Sequence, residues 1–383
     1  MPDTQLGLLE GIDVYKPHGE NPVFLSEQLI TYLGNKRSLL KFIGQGLELT
    51  AKKLNKPKIT AFDVFSGSGV VSRYLKQHSS KIISNDLEKY AFVMNQCYLS
   101  NQSEIDFALL DHWLDFIKKE LTEEKLQAGF ISKAYAPQDE NNIQNGERCF
   151  YIPRNAKYID TARQVLEQVP DNIRHFFMAP LLVSASVHAN TSGVFKGFYK
   201  NSETGKGQFG GNNKDALQRI FGKVEIKKPI FSNFESEIIL FNDDANAVAD
   251  QAEEVDVAYL DPPYNQHPYG SNYFMLNLIL NNTPPTQTSA ISGIPKDWKR
   301  SAYNKKPQAA VAMQDLVEKI KAKYLLISFN SEGFITLAEM LSILQKVGKT
   351  QVLQAEYNAF RGSRNLPNRD LYVKEYLYLV EKF

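Results

Sequence analysis

Cysteine is scarce in this 383-residue chain, which contains only Cys97 and Cys149. Two cysteines supply neither a disulfide framework nor a cysteine metal cluster. Charge of one sign is lacking too. Lys and Arg number 44 against 43 Asp and Glu, a formal net charge of +1, so any basic footprint for a polyanion has to be local. Long apolar runs are missing, and no stretch approaches the roughly 20 residues that a membrane-spanning helix needs. The start, "MPDTQLGLLEGIDVYK", has no basic region followed by an apolar core. No signal peptide and no membrane association are therefore expected, and a reducing cytoplasm is the expected compartment. No internal repeat is visible. The remaining composition, 43% hydrophobic, suits a large buried core, and the length fits one large α/β core carrying an insertion.

Apolar runs ending in polar residues predict buried strands at 58–65 ("KITAFDVF"), 81–86 ("KIISND"), 255–261 ("VDVAYLD") and 324–330 ("YLLISFN"), with a fifth at 237–244 ("EIILFNDD") and a last one, "YVKEYLYLV". Their alternation with helical stretches predicts a parallel sheet wound with helices, whose ligands sit at the carboxyl ends of the strands. From about 101 to 235 the alternation is lost. "DHWLDFIKKELTEEKL" and "YIDTARQVLEQV" read as amphipathic helices, and "NIRHFFMAPLLVSASVHA" as a buried one. "QDENNIQNGER" is a polar loop, and "NTSGVFKGFYKNSETGKGQFGGNN" a hairpin or mobile loop. The expected organisation is a discontinuous sheet domain, 1–100 and 236–383, interrupted by a segment at 101–235.

Three short stretches carry candidate chemistry. "DVFSGSG" (63–69) runs from a strand into a turn whose glycines let backbone approach a ligand. It is neither GxGxxG nor a P-loop. Asp86, ending the next strand, could accept two hydrogen bonds from the vicinal hydroxyls of a ribose; the plain alternative is a tight turn beside a surface acid. "YLGNKRSLL" (32–40) offers a turn at Gly34-Asn35 and a cation at Lys36, or simply a helix start with a solvated basic face. "DPPY" (261–264) puts an acid, two rigid residues and an aromatic ring at a strand end.

Together, and in this order, these motifs resemble those of the Dam-like, alpha-group DNA adenine methyltransferases. "YLGNKRSLL" is similar to their N-terminal cofactor motif, "DVFSGSG" to their Phe-x-Gly-x-Gly loop, "DPPY" to their catalytic motif, and "NTSGVFKGFYK" to their Asn-x-x-Gly-x-Phe hairpin, which enters DNA. The likeness covers most of 30–100 and 190–383. It implies an α/β, Rossmann-like S-adenosylmethionine-dependent methyltransferase sheet with an inserted helical and hairpin DNA-recognition domain at 101–235. It also implies that Tyr32, Gly34, Asn35, Lys36, Asp63, Phe65, Gly67, Gly69, Asp86 and Asp244 form the S-adenosylmethionine site. Lys36 would face the methionine carboxylate, Asp63 its amino group, Asp86 the ribose and Asp244 the adenine. Ala245 stands where the family often has an aromatic, so the adenine-stacking residue is unassigned.

The catalytic residues implied are Asp261, Pro262, Pro263 and Tyr264. Adenine's exocyclic amine is a poor nucleophile because its lone pair is delocalised into the ring. Asp261 and the Pro262 carbonyl, as two acceptors, can orient it and stabilise developing positive charge. The prolines preorganise the turn, and Tyr264 can stack on a base flipped out of the duplex. No metal is implied, and His267 has no paired His or Cys nearby.

Between 196 and 228, eight Lys or Arg face three acids, with aromatics interleaved. The resemblance implies double-stranded DNA as the partner, and this stretch offers Lys196, Lys200, Lys206 and Lys214 as phosphate candidates and Asn190 and Asn212 as base-edge candidates. Arg361 and Arg364 in "FRGSRN" suit phosphates too. Asn272 and Tyr273 could line a base pocket, or Tyr273 could simply pack in the core. The expected activity is sequence-specific transfer of a methyl group to adenine N6 in DNA within a restriction–modification system whose endonuclease acts separately. The alternatives are methylation of a cytosine amine in DNA or of adenine in RNA, or a DNA-binding regulator without catalysis.

Overall fold

The computed structural model describes residues 19–211, 214–358 and 372–383. Arg361, Arg364 and Asn212 lie outside the described residues. Seven strands form one sheet: β1 (Ile59–Asp63), β2 (Ser79–Asn85), β3 (Glu237–Phe241), β4 (Val255–Leu260), β5 (Ala322–Asn330), β6 (Gly348–Asn358) and β7 (Tyr372–Lys382). Their spatial order is β3-β2-β1-β4-β5-β7-β6. β1 through β5 pair in parallel, while β7 runs antiparallel to both β5 and β6.

The central strands are apolar on both faces because helices cover both. Every residue of β4 is buried, as expected for a strand sandwiched between helical layers. One face packs on the helix Leu40–Leu54, whose Gly46 lies so close to Leu326 and Leu377 that a Cβ there would come within 2.9 Å of both. The helices Ala245–Gln251, Lys306–Lys319 and Leu337–Leu344 cover the other face. The sequence reading finds six of the strands but not β6. "GKTQVLQAEYN" mixes polar residues into its length and has no continuous apolar run, and it lies at the sheet edge, paired only with β7 among the described residues.

Among the described residues, 101–235 contribute no strand to this sheet. The helices Phe107–Glu120, Pro153–Leu166 and Asp171–Val187 share one hydrophobic core with the helices Lys89–Tyr98 and Phe274–Asn281 from either side of them in sequence. The first starts earlier than its apolar pattern suggests, because Asp106 caps it by accepting from the Leu109 N–H at 2.9 Å. Residues 199–208 form a short hairpin, with Lys200 bridged to Gly207.

The chain crosses the sheet between β1 and β4. From β1 it proceeds outward through β2 to β3, then returns to β4 and runs the other way. A crevice opens at such a switch point, at the carboxyl ends of the two strands.

Candidate active site

A cleft enclosing about 810 Å³ of space, its mouth included, lies at that switch point. Eight of the ten cofactor residues expected from sequence line it: Tyr32, Gly34, Lys36, Asp63, Phe65, Gly67, Asp86 and Asp244, together with Asp261 and Pro263. Asn35 and Gly69 are not at its surface. Asn35 is a turn residue whose side chain accepts from the Arg37 N–H at 2.8 Å. Gly69 starts the next helix with φ +76°, and a Cβ there would approach Asn95 Oδ1 to 2.5 Å.

The glycine turn is held from below. Gly67 has φ +53°, and its N–H donates to Asp86 Oδ2 at 2.8 Å, while Asp86 Oδ1 accepts from the Glu88 N–H at 2.8 Å. Asp86 therefore orders the loop as well as facing the cleft. A Cβ at Gly67 would meet the Tyr32 ring at 2.6 Å. That ring is fixed, being stacked on Tyr269 and Tyr273 at centroid distances of 4.9 and 4.8 Å. Tyr273 is a core residue: it accepts from the Leu33 N–H and donates to the Thr31 carbonyl.

Six acids line the cleft (Asp63, Asp86, Glu88, Asp243, Asp244 and Asp261) against two cations, Lys36 and Lys299. Burial pushes Asp63 and Glu88 up to about 7 and Asp86 up to about 6. Asp63 Oδ2 accepts from Ser72 Oγ at 2.6 Å, but Oδ1 is buried without a hydrogen-bond partner. Among the described residues the acids do not converge as a metal site. They are strung along the cleft and outnumber its two cations.

Asp261 follows the end of β4 and is 16% exposed. Burial pushes its carboxyl up to about 7, with Lys36 opposing. Lys36, expected to meet a methionine carboxylate, is instead committed to protein acids. It is 2% exposed, with its Nζ 3.2 Å from Asp261 Oδ1 and 2.7 Å from Glu375 Oε1. The reason is desolvation: a buried ammonium needs carboxylates at hand. Its Nζ also sits 5.6 Å from the centre of the Tyr264 ring, which meets Phe329 edge-on at 6.0 Å. Pro262 is buried and Tyr264 half-buried.

Sequence reasoning missed Glu88, Asp243 and Glu375. The first two adjoin chosen acids, and Asp243 precedes Asp244, which is tied down as the cap of the helix Ala245–Gln251. Glu375 had a signal of another kind: an acid on the strand face that also carries the buried Leu377 and Leu379.

The hairpin region requires a correction. Asn190 is 0% exposed, so it cannot read a base edge. Its amide donates to the carbonyls of Cys149 and Gln208 at 2.8 and 2.9 Å and accepts from the Gly210 N–H at 3.1 Å. It staples the hairpin to the helical core. Phe195 and Phe209 are likewise buried. Lys196, Lys200, Lys206 and Lys214 are exposed. Lys196 Nζ lies 3.1 Å from His267 Nδ1, and its carbonyl accepts from Ser292 Oγ at 2.7 Å, so the hairpin abuts the loop that follows the Asp-Pro-Pro-Tyr turn.

A reversed β7 beside a parallel sheet, with an acid-rich cleft at its switch point, is the arrangement of a Rossmann-like methyltransferase. Residues 32–343 match the family model of the D12 class N6 adenine-specific DNA methyltransferases, and the chain belongs to that family. It is a DNA adenine methyltransferase. It is similar to the type II methyltransferase M.CviAII of Paramecium bursaria Chlorella virus 1, at 29% identity over 359 residues, 92% of this chain and 98% of the relative. It is also similar to the type II methyltransferase M.NlaIII of Neisseria lactamica, at 27% identity over 92% of this chain and 99% of the relative. The modification methylase StsI of Streptococcus sanguinis is 26% identical over 92% of this chain, which spans 52% of that relative. No helix among the described residues is long and apolar enough to cross a membrane.

Proposed function

We propose that this methyltransferase is the modification enzyme of a type II restriction–modification system, with S-adenosylmethionine as its methyl donor and Asp261 as the residue that meets the target amine. The observation that carries the reading is that Asp261 and the Gly67 turn open into the same cleft. The likeness to two type II methyltransferases supports the restriction–modification setting. The cleft fits the donor on two counts. Asp63 Oδ1 is a buried acceptor without a partner, suited to an ammonium, and Gly67 keeps the floor open where a Cβ would strike Tyr32. Asp63, Asp86 and Asp244 would hold the amino, ribose and adenine ends. Bound S-adenosylmethionine supplies an electrophilic methyl group.

The chain's own groups do the rest. Asp261 and the Pro262 carbonyl each accept a hydrogen from the adenine amine, which turns its lone pair toward the donor and stabilises the charge that develops on nitrogen. An acid pushed up to about 7 is matched to taking the surplus proton near neutral pH. Tyr264 offers a stacking surface that offsets part of the few kcal/mol spent in flipping the base. Exposed Lys196 and Lys200 would hold phosphates beside the cleft.

The test is methyl transfer from labelled S-adenosylmethionine to DNA and to RNA by the native protein, followed by nucleoside analysis. Label in N6-methyladenine of DNA at a fixed sequence is expected. Label in N4-methylcytosine or in RNA, or tight DNA binding with no transfer, would overturn it.

A further inference from the structure

Glu375 lies on β7, 114 residues beyond Asp261 in sequence, and is 0% exposed. One oxygen, Oε1, accepts from both Lys36 Nζ at 2.7 Å and Ser328 Oγ at 2.6 Å, while Oε2 is buried without a hydrogen-bond partner. Ser328 comes from β5, whose Asn330 is paired with Glu375 across the ladder. Two carboxylates thus share a single buried ammonium, and that ammonium stands nearer to Glu375 than to Asp261. A second buried acid is costly for stability. A fold that needed only to neutralise Lys36 had Asp261 already in place.

We propose that Glu375 is a positioning residue for methyl transfer: it draws the Lys36 ammonium toward itself, so that Lys36 holds Asp261 through Oδ1 alone, at 3.2 Å, and leaves Oδ2 to accept the amine hydrogen. The inference rests on the reading of Asp261 as the group that meets the amine. Without Glu375 the ammonium has Asp261 as its remaining carboxylate partner, tightens on it from the present 3.2 Å, competes with the amine, and makes the carboxylate a weaker base. Other groups around Asp261 do not replace this pull. Asp63, on β1, is held by Ser72, and among the described residues the other titratable neighbours, Tyr259, Tyr264 and Tyr269, are phenols.

The experiment compares kcat–pH profiles of full-length wild type, Glu375→Gln, Ser328→Ala and Asp261→Asn on DNA. Glu375→Gln preserves volume and an acceptor for Ser328. It is expected to lower kcat by about tenfold or more and to move the acidic limb down by about one pH unit, with little change in KM for either substrate. Ser328→Ala strips a donor from Glu375, strengthens its hold on Lys36, and should move the limb the opposite way; it also serves if Glu375→Gln fails to fold. A Glu375→Gln limb that stays in place, a loss confined to KM, or a Ser328→Ala limb that moves downward would overturn the proposal. Asp261→Asn separates the two readings. Turnover retained there sinks the role of Asp261 itself, whereas turnover lost there with unmoved limbs in the other variants sinks only the role of Glu375.

Discussion

Replacing Asp63 by asparagine tests whether the cleft sacrifices stability for ligand binding. Asp63 is buried at the end of β1, and its carboxyl is pushed from an ordinary 3.8 up to about 7, chiefly by burial, against the favourable hydrogen bond from Ser72. A raised value in an acid means that the unfolded chain releases its proton first. The contribution of this one group to stability is then greatest below pH 3.8, falls as the pH rises toward about 7, and is flat beyond. A shift of about three pH units corresponds to about 4 kcal/mol forgone at pH 8. Asparagine keeps the volume and an oxygen for Ser72 but does not titrate. Allowing about 1 kcal/mol for burying its amide, Asp63→Asn should exceed the parent in stability by about 3 kcal/mol at pH 8. Near pH 5 the variant should be within about 1 kcal/mol of the parent. Urea unfolding at both pH values measures this. Calorimetry at pH 8 should show S-adenosylmethionine binding weakened by about tenfold or more, because an amide gives up the charge-assisted bond to the ammonium. A stability difference that does not vary with pH, or undiminished binding, would refute the reasoning.

Three further outcomes are expected. Gly67→Ala places a side chain on a left-handed residue and against the fixed Tyr32 ring, so S-adenosylmethionine affinity should fall by at least about tenfold while folding loses only about 1–2 kcal/mol, read by calorimetry and thermal unfolding. The double variant Lys196→Ala, Lys200→Ala should reduce the slope of log affinity for DNA against log salt by about 2, and an unchanged slope clears both of phosphate contact. Asn190→Ala removes three buried hydrogen bonds and should destabilise the protein by about 2–4 kcal/mol without changing which DNA sequence is methylated; altered site preference in a folded variant would restore it as a reading residue.

The sheet and the cleft were legible in the sequence for a physical reason. Parallel strands buried on both faces must be continuously apolar, so β4 stands out as "VDVAYL", and the polar residues that end such runs mark where ligands can be met. Asp86 and Asp261 are found that way, Asp63 is reached through the resemblance of its glycine turn, and all three face one cleft. β6 escaped because an edge strand is free to carry polar side chains. Glu88 escaped because an acid next to a motif looks like any surface acid until the fold turns it inward, and Asp243 because it stays exposed and only its place beside the cleft sets it apart.

The sequence by itself determined the order of the motifs, the strand ends that carry them, and so the chemistry available. The tertiary structure alone decided which partner each charge takes. A glycine turn or a strand end is a local property, set by backbone sterics and side-chain pattern. The neighbours of a buried charge come from anywhere in the chain. Lys36 meets Asp261 and Glu375 across separations of more than 200 and more than 300 residues, and Asn190, polar and set in a loop that invites DNA, is turned inward because three backbone groups of its own hairpin and core needed satisfying.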